Sequence, residues 1–347
     1  MMKQRDLSLD LLRIVACVMV VMMHSPIPSD NSDGIILSSL SYFTAPCIGL
    51  FFMVSGALIL PPPIASESNT ALPFLRKRLK RVLMPTLVWT LFYIAIKLLD
   101  GNMTIDEVLK TMASIPFSAQ GHGVLWFMYT LIGLYLVTPI LHAWLRKASE
   151  KEIRFYLLLW LVAMCYPLLQ MFVLVNNTTT GILYYFSGYV GYFLLGYWMQ
   201  RYGEKLSLKV AALLMCVSVF APIVVKIMHL EVDFYSLFWY LSIFVAIQCI
   251  FWWKMMKRLQ IVLHMSDRVK SFITIFSNLS FGIYLSHIFI MRHFVWHIPF
   301  VEHINSQLLQ IAVVSVLTLT LSFFVSLIFG ITPLGNAVVG WRKKRCN

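Results

Sequence analysis

The strongest constraint in this sequence is its series of long apolar runs. Stretches near 9–26, 37–60, 82–99, 122–144, 154–174, 182–200, 208–228, 235–253, 271–291 and 307–330 are long enough, as helices, to cross a hydrocarbon layer about 30 Å thick. A bilayer offers no water to backbone amides, so each run must satisfy its own hydrogen bonds as a helix. The fold this implies is all-α: a polytopic integral membrane bundle of about ten transmembrane helices, read as one domain over residues 1–347. Composition agrees, because a chain that is 59% hydrophobic and 12% charged, with a mean hydropathy of +0.78, carries more apolar surface than a soluble core can hide. The longest segments between runs, about 100–121 and 254–270, are too short for a separate core.

A net charge of +13 would ordinarily raise nucleic acid or an acidic polymer as a partner, but the placement of the 28 Lys and Arg residues argues otherwise. With the N-terminus inside, the inner segments hold Lys3 and Arg5; Arg76, Lys77, Arg78, Lys80 and Arg81; Arg146, Lys147, Lys151 and Arg154. They continue with Arg201, Lys205 and Lys209; Lys254, Lys257, Arg258, Arg268 and Lys270; and Arg342, Lys343, Lys344 and Arg345. The outer segments hold Lys110 and Arg292. This asymmetry places both termini in the cytoplasm and makes the lipid bilayer, not nucleic acid, the partner. Lys3 and Arg5 ahead of the first run resemble a signal peptide, but no small-residue cleavage site follows, so the run is read as a retained helix. The short loops suggest a multi-pass protein of a bacterial inner membrane. Cys17, Cys47, Cys165, Cys216, Cys249 and Cys346 form no CxxC pair and read as helix filler, not as a metal site.

The chemistry must then lie in the bundle. Arg13 and His24 are eleven residues apart, hence about 20° apart in azimuth and roughly 16 Å in height on one helix face. An intramembrane Arg costs on the order of 3 kcal/mol and usually faces a wet interior; the alternative is that it reaches the inner headgroups and pairs with Asp10. A neutral imidazole at His24 has the pKa to take a proton from a hydroxyl, unless it is simply interfacial. Tyr284 and His287 are three apart on one helix and share the outer layer with His24; His122 and Trp126 fall in the same layer, where an aromatic belt is the plainer reading. At the inner side, Arg76 to Arg81 is either a topology signal or a set of guanidinium forks for a phosphorylated ligand. Ser55-Gly56 suits a polar site or a packing notch.

Several of these residues stand in ordered motifs: Asp10-Leu-Leu-Arg13 followed by His24, Phe51-Phe52-Met-Val-Ser55-Gly56, and Arg78-Leu-Lys-Arg81 with Pro85. Leu125-Trp126-Phe127 with Gly133-Leu-Tyr135 and Pro139 follows, then Gly282-Ile-Tyr284-Leu-Ser-His287. The set resembles the family 3 membrane acyltransferases, which move acyl groups, usually acetyl, onto extracytoplasmic carbohydrates and related acceptors. The resemblance implies that Arg13 and His24 carry the central motif, that Arg78 and Arg81 belong to the donor-side motif, and that acetyl-coenzyme A is the donor. Val124 departs from the His that many members place before Leu-Trp-Phe. Larger relatives append an esterase-like domain, so this chain is expected to act as a stand-alone transferase.

The expected site therefore has Arg78, Arg81, Arg13 and Ser55 on the coenzyme, and His24 as base. Tyr284 or His287 holds the acceptor or the developing oxyanion, His122 and Trp126 line the acceptor side, and no metal is required. The acceptor is an extracytoplasmic glycan or lipid-linked sugar. Direct transfer and an acetyl-enzyme on His24 use the same residues. A transporter or flippase is the competing class, disfavoured by the lack of an inverted repeat and the few mid-membrane acids.

Overall fold

The computed structural model describes residues 5–27, 35–61, 71–115, 125–169, 181–228 and 239–342, and among them the regular structure is entirely helical. In chain order the principal helices are α1 (Leu7–His24), α2 (Ile35–Thr44), α3 (Pro46–Ile59), α4 (Ala71–Leu99), α5 (Ile105–Ser114), α6 (Trp126–Leu145) and α7 (Glu150–Ala163). They continue with α8 (Val190–Tyr202), α9 (Leu208–Ile227), α10 (Ile243–Val262), α11 (Asp267–Ile290), α12 (Gln307–Ile331) and the short α13 (Gly335–Val338). Eight spans among the described residues are long and apolar enough to cross a membrane, from Leu7–His24 to Gln307–Ile331.

The two expected runs outside that set explain themselves. α8 has 13 residues, about 20 Å of helix and short of a hydrocarbon core. α10 has 20 residues but ends in a stretch bearing Lys254, Lys257 and Arg258. The run expected as one helix over 37–60 is two, parted at Ala45, because Pro46 has no amide hydrogen to continue the ladder and suits a first-turn position instead.

Helix ends follow local chemistry. Asp6 caps α1 by accepting from the Ser8 amide at 3.1 Å. Capping boxes of Thr104 with Glu107 and Ser149 with Glu152 open α5 and α7. Pro85 lies inside α4 and cannot donate to the Arg81 carbonyl one turn earlier.

α1 lies inside the bundle, packed by α3, α10, α11 and α12. The outer helices turn apolar side chains outward, as Leu213, Val217, Phe220 and Val224 of α9 do, which is the pattern of a lipid-facing surface. α3 and α8 touch backbone to backbone through paired glycines. A Cβ on Gly56 would fall 1.8 Å from the Phe193 carbonyl oxygen, and one on Gly196 would fall 1.9 Å from that of Met53.

The charged helix ends are tied together beside the start of α1. Asp6 accepts from Lys257 of α10 at 2.6 Å and from Gln200 of α8 at 2.9 Å. Burial alone would push this carboxyl up, but the bonds from Lys257, Ser8 and Gln200 together with the Lys257 charge hold it below the ordinary carboxylate value.

Candidate active site

Five helices and the segment after α12 enclose a cavity of about 260 Å³. α1 contributes Arg13, α3 Phe51 and Ser55, α4 Arg78, Arg81 and Val82, and α6 Phe127, Leu131 and Tyr135. α11 contributes Ser277, Asn278, Ser280, Phe281 and Tyr284, and Gly340 and Trp341 complete the wall. The four residues expected to hold the donor, Arg13, Ser55, Arg78 and Arg81, are thus brought to one void.

The fold decides between the two readings of Arg13. Asp10 is buried at 3% exposure, and Arg5 grips both carboxylate oxygens, at 2.6 and 2.8 Å. Ser277 adds a bond to Asp10 at 2.6 Å, and Arg5 also reaches Asn278 Oδ1 at 3.0 Å. Asp10 therefore serves to pin the start of α1 to α11, while Arg13 lines the cavity. Three guanidinium groups meet there, with no Asp or Glu among the described lining residues. Positive charges so placed attract an anion with several oxygens, which can accept their forked donors. Ser55 and Gly56 serve both purposes the sequence left open, the first on the cavity and the second at the α3–α8 contact.

The cavity ends in aromatic rings. Phe51, Phe127 and Tyr284 are, on α3, α6 and α11, the lining residues nearest the His24 end of the bundle. Their centroids stand 5.6 Å (Phe51–Phe127), 5.3 Å (Phe127–Tyr284) and 6.4 Å (Phe51–Tyr284) apart, forming a closed triangle. Beyond it lies a histidine pair, with the His24 and His287 rings 5.6 Å apart and the His287 ring also 5.6 Å from that of Tyr284. Neither histidine lines the cavity; Tyr284 both lines it and stands beside His287.

The tautomer of His287 follows from its surroundings. Its Nδ1 lies 2.5 Å from the Tyr284 carbonyl oxygen, which can only accept, so Nδ1 carries the proton. Nε2 of the neutral ring is then a bare acceptor, buried and without a hydrogen-bond partner among the described residues. Such a nitrogen accepts from a hydroxyl; it has no proton to offer an oxyanion, so the two roles the sequence left open for His287 are not equally suited to this ring.

The Trp126 ring stands tilted beside those of Tyr189 and Tyr240, at 5.4 and 5.5 Å, and the Tyr240 hydroxyl reaches the sulfur of Met23, the neighbour of His24, at 3.2 Å. It belongs to the histidine end, not to the cavity. His122 lies outside the described residues. Sequence reasoning did not assign Tyr135, Asn278 or Trp341 to the site. Tyr135 was within reach of the helical spacing Phe127, Leu131, Tyr135, whereas Trp341 carried no local signal.

Residues 6–327 match the profile of a family described as an acyltransferase domain, nearly the whole chain. The chain belongs to the acyltransferase-3 family. Comparison with curated proteins and with solved structures returned no match.

Proposed function

We propose that this protein is a membrane O-acetyltransferase that moves an acetyl group from cytoplasmic acetyl-coenzyme A to a hydroxyl of an extracytoplasmic glycan or lipid-linked sugar. Family membership supports acyl transfer. The observation that carries the finer reading is the convergence of Arg13, Arg78 and Arg81, with no Asp or Glu among the described lining residues, on a cavity whose wall at Tyr284 adjoins the His24–His287 pair. Coenzyme A is a polyphosphate with a long thin arm ending in a thioester. The guanidinium groups suit its phosphates, Ser55 lies one helical turn from Phe51 on α3, and the arm has to pass between Phe51, Phe127 and Tyr284 to reach the histidines.

In this reading the bundle has ten membrane helices, α8 and α10 included, with both ends of the chain and the Arg-lined mouth facing the cytoplasm of a bacterial cell. It forms one domain and acts without a metal. The acceptor enters from the opposite side, beside Trp126 and His122. Its hydroxyl donates to His24, which takes the proton as the oxygen attacks the thioester carbonyl, while Nε2 of His287 accepts from a second hydroxyl of the acceptor to orient it. The carbon–sulfur bond breaks, the ester forms, and the thiolate leaves with the coenzyme. The Tyr284 hydroxyl is the donor assigned to the developing oxyanion, the role that His287 does not fill in the tautomer its Tyr284 carbonyl contact selects.

The test is His24→Ala in proteoliposomes supplied with labelled acetyl-coenzyme A and envelope glycans. Transfer should fall by about 10²- to 10⁴-fold, the usual contribution of a general base. A loss smaller than a few fold removes His24 from the chemistry, and movement of acceptor without acylation assigns the chain to transport.

A further inference from the structure

We propose that Trp341 is the stacking wall for the purine ring of the donor nucleotide, held on the cavity by a strap formed by residues 332–341. The proposal rests on the donor reading above and adds to it a residue outside the 6–327 region that matches the family. Family membership therefore says nothing about this position.

The strap is fixed at four places. The Trp89 indole of α4 donates to the Val338 carbonyl at 2.9 Å. Val339 is fully buried against α11, where a Cβ on Gly282 would fall 2.8 Å from the Val339 Cβ, so only glycine lets the strap sit this close. Gly340 has φ +66, the left-handed region that favours glycine, and a Cβ there would stand 2.7 Å from Phe281 and 3.1 Å from the Arg81 carbonyl oxygen. That carbonyl is the one Pro85 leaves without its helical donor, and so the strap meets α4 where the ladder is interrupted. Finally, the six-membered edge of Trp341 rests on α12, its Cε3 and Cζ3 each 2.6 Å from where a Cβ on Gly330 would lie.

These attachments set a partly buried indole on the same wall as Arg81. A membrane-interface tryptophan turns its ring to lipid headgroups; this one lines a cavity that holds three guanidinium groups. Guanidinium forks beside an aromatic plate match a ligand with phosphates beside a flat heterocycle, which is the chemistry of a phosphorylated nucleoside.

Two measurements on the purified full-length protein test this. In calorimetry with coenzyme A, Trp341→Leu should weaken binding between about fivefold and a hundredfold, the range expected for one stacked base, while Trp341→Phe stays within about threefold. Adenosine 3′,5′-bisphosphate, the nucleotide portion alone, should show the same order. The second measurement needs no variant to fold: coenzyme A with an 8-azidoadenine ring, photolysed on the parent protein, should label the peptide carrying Trp341. Unchanged affinity in Trp341→Leu, or label confined to other peptides, overturns the stacking role; if Arg78→Ala with Arg81→Ala still weakens binding, the donor cavity stands without it. A parent protein that binds no coenzyme A overturns both.

Discussion

Asp10 and Asp6 sit four residues apart and do different work, a division that only the three-dimensional partners reveal. Asp10 is consumed by Arg5 and Ser277 and frees Arg13 for the cavity. Asp6 joins α1, α8 and α10 through Gln200 and Lys257. Because these partners depress the Asp6 pKa in the folded protein, its stabilisation is complete above the unfolded value near 3.9 and fades as pH falls through the lower folded value. The melting temperature of Asp6→Asn in detergent should therefore lie below that of the parent by a constant margin from pH 8 to about pH 5, with the margin shrinking below about pH 4. A margin that widens on acidification contradicts this assignment. Spacing alone puts Arg13 and His24 on one face of α1, but of the two only Arg13 lines the cavity. Asp10's choice of Arg5 over Arg13 was not readable from spacing, because Ser277 and Asn278, which complete the arrangement, are more than 260 residues away.

Among the elements, α3 owes its closest approach to α8 to Gly56. With a Cβ 1.8 Å from the Phe193 carbonyl oxygen, Gly56→Ala must push α3 and α8 apart, and Ser55 and Phe51 move with α3. Overpacking of this kind typically costs 1–3 kcal/mol, and a backbone contact places it toward the upper end of that range, about 3 kcal/mol. The expected result is a lower melting temperature and weaker coenzyme A binding together; a variant as stable as the parent rejects the close contact. Apolar length and flanking charge made most of the helices legible. The runs expected over 182–200 and 235–253 correspond to a shorter α8, Val190–Tyr202, and to an α10 displaced along the chain to Ile243–Val262, into the basic stretch. The motif Gly282-Ile-Tyr284-Leu-Ser-His287 was visible as a string, but its first residue is there to admit Val339, a partner that no spacing rule within the motif could name.

For the whole molecule, the proposal divides the interior into an Arg-lined chamber and a histidine chamber that open to opposite sides. Ser55→Cys, made in a background with its reactive native cysteines replaced, should react with a membrane-impermeant maleimide added from the cytoplasmic face, and coenzyme A should slow that reaction severalfold. Labelling from the outer face alone reverses the orientation assigned from the Lys and Arg asymmetry. That asymmetry was the most legible global feature of the sequence, because it is a sum over many side chains and survives error at any one of them. The chamber was less legible, since its walls are drawn from positions between Arg13 and Trp341, nearly the length of the chain.

The triangle of Phe51, Phe127 and Tyr284 carries a duty unrelated to acyl transfer. In the proposed arrangement, with a mouth on one side of the membrane and the acceptor path on the other, these rings are the partition between the Arg-lined cavity and the buried imidazoles. Three rings closed at 5.3 to 6.4 Å are an electrical insulator as much as a substrate passage. Under the proposed function, the membrane potential depends on those rings staying shut around whatever passes between them.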